Sequence, residues 1–164
     1  MLRGGDTPRD GPERLTFAQL CIDNRLYAAA ARLFAEALEA DPKLGDDRQA
    51  QHRYIAAGAA ALAIALKGKD DPPPDEVART NLRRQALAWL RAERAAWAKL
   101  LESGPPQARP VIAQTVRHWQ EDTALAGLRD RDALDKLPVE EQEAWRALWA
   151  DVEALLKQTD GARR

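Results

Sequence analysis

What this 164-residue chain has little of narrows its chemistry first. It has one cysteine, Cys21, so no internal disulfide forms and nothing points to an oxidising compartment. Its two histidines, His52 and His118, lie far apart, and neither has a cysteine or second histidine at ligand spacing. That gives no basis for a metal centre. With 25 Lys and Arg against 26 Asp and Glu, the net charge is -1, so no global field draws the chain to nucleic acid or a lipid surface. No apolar run reaches the roughly 18 residues that a membrane span requires. The opening MLRGGDTPRDGPER is charged but has no apolar stretch behind it, which does not read as a secretory signal. A cytoplasmic location is the expectation. Ser103 has no G-x-S-x-G around it, and there is no Gly-rich loop ahead of a strand lysine, no HRD and no DFG.

Apolar residues make up 45% of the chain and charged residues 31%, the balance of a folded protein with a core. The pattern is helical throughout, and no stretch reads as a strand. Residues 13–22 place Leu15, Ala18, Cys21 and Ile22 at helical spacing, beside Phe17. Asp23 to Arg25 makes a tight turn. Residues 26–40 form a second helix with Leu26, Ala30, Leu33, Phe34, Ala37 and Leu38 in one stripe, and Pro42 ends it. A third helix is expected over residues 48–66, whose centre YIAAGAAALAIAL is apolar and small on all sides. Such a helix belongs between neighbours, with Ala and Gly permitting close backbone approach. The connection KGKDDPPPD is stiffened by its prolines. A fourth helix covers residues 76–101, another residues 111–120, and the last starts near Pro138 with Glu140 and Glu141 suited to its positive end. The expected organisation is a flexible arm at 1–11, a single helical-repeat domain at 12–158 and a frayed tail at 159–164.

Phe17, Ala18, Ala30, Phe34, Ala37 and Pro42 are spaced as in one tetratricopeptide unit, and the stretch resembles that repeat, a helix-turn-helix of about 34 residues. It departs from the pattern at Arg14, where the repeat carries a large apolar residue, and at Cys21, where it carries tyrosine. Tyr54, Ala57, Gly58 and Ala61 resemble the first helix of a second unit, and Ala86 and Leu90 its partner helix. The resemblance implies an all-α fold of antiparallel helix pairs with elongated helices and a C-terminal Trp-rich helical cap. It also implies a protein-binding groove on the first helix, at Leu15, Gln19, Ile22 and Asp23. Those residues suit a helix or extended segment rather than a terminal carboxylate. On a broader scale, ERLTFAQLC, LYAAAARLFAEALEADP, WLRAERAAWAKLLESGPPQAR, HWQEDTALAGLRD and LPVEEQEAWRALWADVEALL resemble the region that comes after the kinase domain in planctomycete-type bacterial serine/threonine kinases. That resemblance implies a non-enzymatic accessory region that holds a protein or peptide segment in trans, or packs on its parent kinase in cis. No cofactor, metal, nucleic acid or membrane is expected as a partner, nor a small-molecule ligand.

The remaining chemistry-bearing residues have structural explanations. Cys21 falls on an inner stripe, as buried thiols do. The acid pairs Asp46-Asp47, Asp70-Asp71 and Glu140-Glu141 sit where helices are capped or solvated. Arg79, Arg83, Arg84, Arg91 and Arg94 make the fourth helix partly basic, but Glu76 and Glu93 interrupt any continuous cationic face. Trp89, Trp97, Trp119, Trp145 and Trp149 all lie in helical stripes. Any one left exposed is the strongest binding candidate among them, because aromatics dominate interface hot spots.

Overall fold

A computed structural model describes residues 11–161, and among them all regular structure is helical. The expected arm at 1–11 therefore lies outside the described residues except for Gly11, which opens the first helix, and residues 162–164 of the expected tail lie outside as well. The helices are α1 (Gly11–Asp23), α2 (Tyr27–Ala40), α3 (His52–Ile64), α4 (Glu76–Ser103), α5 (Ala108–Glu121), α6 (Ala126–Arg129), α7 (Arg131–Leu134) and α8 (Val139–Gly161). They fall into two compact units that divide between Trp89 and Leu90, within α4. No helix among the described residues is long and apolar enough to cross a membrane.

In the first unit, α2 packs on both α1 and α3. Alanine makes this packing close: Ala18, Ala30, Ala37, Ala56, Ala57 and Ala60 are all fully buried, with Leu33 and Phe34 filling space beside them. Interaxial distance follows the size of the contacting side chains. Arg14, the departure from the repeat pattern, lies with its Nε 3.8 Å from Glu36 on α2, an ion pair of modest worth at this exposure.

The turn between α1 and α2 is a helix-terminating motif built without glycine. Arg25 takes a left-handed φ of 60°. Its N–H donates to the Ile22 carbonyl at 2.9 Å, and the Leu26 N–H donates to the Cys21 carbonyl at 2.7 Å. The paired bonds satisfy carbonyls that a helix end otherwise leaves open. The end of α3 repeats the device: Leu66 has φ 57°, with Leu66 N–H to Ala63 O and Lys67 N–H to Leu62 O, each at 3.0 Å.

Two expectations for α3 need correction. The helix begins at His52, not at residue 48. Asp47 Oδ1 accepts from the N–H groups of Gln49 and Ala50 at 3.1 and 3.0 Å, folding residues 47–50 into a local turn, and Gln51 has a left-handed φ of 51° that breaks the helix there. The Ala50 and Gln49 bonds also hold the Asp47 carboxyl below the ordinary aspartate range. Gly58 is not a point of close approach: a Cβ built there meets nothing within 4 Å. The close contacts on α3 are made by its buried alanines instead.

The connection from α3 to α4 is tied at both ends. Asp70 Oδ2 accepts from the Ala28 N–H at 3.0 Å and Oδ1 from the Ala29 N–H at 3.2 Å, so a residue about forty positions downstream caps α2. The Lys69 N–H donates to the Arg25 carbonyl at 2.7 Å. A Cβ at Gly68 would stand 2.7 Å from that same carbonyl, which makes glycine necessary for the approach. At the other end, Asp75 Oδ1 caps α4 by accepting from the Ala78 N–H at 2.8 Å, and Arg79 donates to the Pro74 carbonyl at 3.2 Å.

The second unit is built around tryptophan. Trp97, Trp119 and Trp145 are buried with Leu90, Ile112, Val116, Leu125, Leu128, Leu148, Val152 and Leu155. α5 packs on α8, and α6 packs on α7 and α8. α5 starts at Ala108, before the expected residue 111, because Pro110 is tolerated in a first turn, where its missing N–H leaves no bond unmade. α8 continues through Gly161, and Thr159 is buried with its hydroxyl donating to the Leu156 carbonyl at 2.6 Å.

Asp70→Ala removes both capping bonds on α2. Urea unfolding of the variant should show a loss of about 1 kcal/mol, the usual worth of a helix N-terminal cap. A loss no greater than that of an exposed control such as Asp71→Ala contradicts the capping role.

Candidate functional site

The first unit contains a cleft of about 1070 Å³. One wall is the C-terminal end of α1 and the outer side of α2, presenting Leu20, Asn24, Ala28, Arg32 and Ala35. The facing wall is the first half of α4, presenting Ala78, Asn81, Leu82, Gln85 and Trp89, and the tied connection Lys69–Asp75 forms its end. Small side chains on α2 make the cleft roomy, and the two-ended anchoring of the connection holds it open.

Its surface chemistry is apolar with a few oriented polar groups. Leu20 is 42% exposed within it, an apolar side chain facing solvent. Asn81 and Gln85 lie one helical turn apart on α4. Asn81 Oδ1 accepts a 3.4 Å bond from Arg84, and the half-buried Gln85 amide makes no hydrogen bond among the described residues. On the opposite wall Asn24 donates through Nδ2 to the Leu20 carbonyl at 2.9 Å, so its Oδ1 remains an acceptor. A primary amide offers one donor group and one acceptor on one plane, the same pair that a backbone peptide unit presents.

The residues that the sequence marked as a groove stand elsewhere. Leu15 and Ile22 are half-buried, Gln19 and Asp23 are exposed, and none of the four lines the cleft. Gln19 Nε2 donates to Asp23 Oδ1 at 3.0 Å, one bond between two exposed side chains. The packing set behaves differently: Ala18, Ala30, Phe34 and Ala37 are buried, Phe17 is half-buried, and Pro42 opens a short 3₁₀ segment directly after α2. Sequence reasoning missed the cleft because the Asp70 bonds that shape it join distant parts of the chain. The signal was present in KGKDDPPPD as an aspartate within a rigid, proline-bearing link.

Cys21 lines the cleft wall yet is only 4% exposed. Burial pushes its thiol pKa up; Arg32 opposes this, and the negative charge of Asp70 adds to it. The thiol is therefore a poor nucleophile. Among the described residues no three His, Cys, Asp or Glu side chains converge as metal ligands do. The arginines of α4 form no continuous face: Arg83 is buried, and Arg79 pairs with Glu76 at 2.7 Å.

No family model, curated protein or solved structure matches this chain.

At pH 8 iodoacetamide should alkylate Cys21 in the folded protein at least about tenfold more slowly than in the urea-unfolded chain, because thiolate and access are both suppressed. Equal rates contradict a buried, uncharged thiol.

Proposed function

We propose that this protein is a non-enzymatic docking domain of the tetratricopeptide type that holds an extended segment of a protein partner in the cleft between α2 and α4. The observation that carries this reading is the Gln85 amide, half-buried on the cleft wall with no hydrogen-bond partner among the described residues and one turn from Asn81. An amide left partly desolvated and unbonded gains most from a ligand that brings its own donor and acceptor. An extended main chain does so at every residue, and its side chains find Leu20, Leu82 and the alanine wall. The anchored connection supports the reading further, since a pre-formed groove avoids part of the ordering cost of binding. The repeat-like spacing of Ala18, Ala30, Phe34 and Ala37, together with their burial, supports paired helices of the tetratricopeptide kind. The resemblance to kinase-associated regions enters the proposal as a setting: the segment held belongs to a separate protein, or to a parent kinase in cis.

The alternative docking face is the one formed by Leu15, Gln19, Ile22 and Asp23. One experiment separates the two. Random peptides displayed on phage are selected on the full chain, and their affinity is measured for two variants: Ala35→Arg with Gln85→Ala, and Gln19→Lys with Ile22→Lys. Helicity is checked by circular dichroism. The cleft reading expects the first variant to lose at least about tenfold in affinity, or about 1.4 kcal/mol, with the second near wild type. The reverse pattern moves the site to α1, and selection of no peptide contradicts peptide docking altogether.

A further inference from the structure

Of the five tryptophans, Trp89, Trp97, Trp119 and Trp145 are buried, and Trp149 is left half-buried. It borders a hollow of about 450 Å³ in the second unit, lined by Arg129, Arg131, Leu134, Arg146 and Trp149. Three of those five lining residues are cationic and none is acidic. The hollow shares no residue with the cleft of the first unit, and its chemistry is independent of any peptide docking there.

The hollow has a fixed floor and a cationic rim. Trp149 Nε1 donates to the Leu128 carbonyl at 2.8 Å, which anchors the indole, and Leu134 beside it is 3% exposed. Arg129 forms a rigid wall: Nη1 donates to the carbonyls of Trp119 and Asp122 at 3.1 and 2.7 Å, and Nε lies 3.4 Å from Asp130. Arg146 spends one nitrogen on Asp135 at 2.7 Å and is half exposed. Arg131 is exposed, and its side chain has no ion pair or hydrogen bond among the described residues. Two carboxylates, Asp130 and Asp135, thus face three guanidinium groups, leaving one positive charge over the hollow.

We propose that this hollow binds the acidic side chain of a polypeptide partner, an Asp or Glu flanked by aliphatic residues. Guanidinium groups present paired N–H donors that match a carboxylate's two oxygens. The indole and Leu134 receive the neighbouring aliphatic side chains, and an aromatic held in a pocket among arginines is the usual composition of an interface hot spot. The excess of a single charge selects one carboxylate rather than a polyanion. Asp130 and Asp135, held against the rim by Arg129 and Arg146, repel the repeated phosphates of a nucleic acid.

The test uses the full chain and three synthetic peptides: acetyl-Ala-Leu-Glu-Leu-Ala-amide, the same peptide with Gln for Glu, and acetyl-Ala-Leu-Gln-Leu with a free C-terminus. Inorganic phosphate serves as the bare anion. The readout is the Trp149 indole N–H resonance, observed in the wild type and in Arg131→Gln/Arg146→Gln, which removes both charges without setting a carboxylate against Asp135 and whose helicity is checked by circular dichroism. The proposal expects the Glu peptide to shift this resonance saturably, with at least about tenfold weaker binding for the Gln peptide and for the double variant. No shift with the Glu peptide overturns it. So do equal affinities for the Glu and Gln peptides, a response confined to the free C-terminus, or phosphate matching the Glu peptide.

Discussion

Alanine at the helix contacts is the constraint on which the first unit depends. Ala18 on α1, Ala30 and Ala37 on α2, and Ala57 and Ala60 on α3 are each fully buried. A methyl group lets helix backbones approach, but it removes little apolar area from water compared with leucine. Close packing of this kind gains dispersion contacts and gives up transfer energy. The unit therefore relies on directional bonds to hold its helices in register. The glycine-free turns after α1 and α3 and the Asp70 cap on α2 supply them.

The same economy produces the candidate site. Small residues on the outer side of α2 do not fill the space toward α4, and the connection Lys69–Asp75 is bonded to both helix starts, so that space persists as a cleft. The second unit solves its packing in the opposite way, with large aromatic rings. Trp149 is the ring that this packing leaves partly uncovered, and three arginines line the hollow beside it.

Much of the helix layout was legible locally. The stripe in residues 26–40 and the stop at Pro42 correspond to α2, and residues 76–101 correspond closely to α4. Both patterns depend only on 3.6-residue spacing and on proline. The start of α3 was not legible, because a side-chain bond from Asp47 and a left-handed Gln51 override a run of helix-favouring residues. Gly58 looked like a packing glycine from its alanine neighbours, yet the side that it faces is open. The cleft was beyond local pattern for a similar reason: Asp70 reads as a loop acid until its carboxylate is seen on the Ala28 and Ala29 amides. The groove expected on α1 came from a single-helix stripe, which does not reveal that Gln19 donates to Asp23.

The most direct measurement compares the unfolding free energies of Ala30→Leu and Ala29→Leu. Ala30 is fully buried where α2 packs, and Ala29, its neighbour, lines the cleft. If close alanine contacts set this architecture, Ala30→Leu should destabilise the protein by about 1–3 kcal/mol through overpacking, while Ala29→Leu stays near wild type. A neutral or stabilising Ala30→Leu would show that the added methylenes find room, and that the helices are not held at alanine distance.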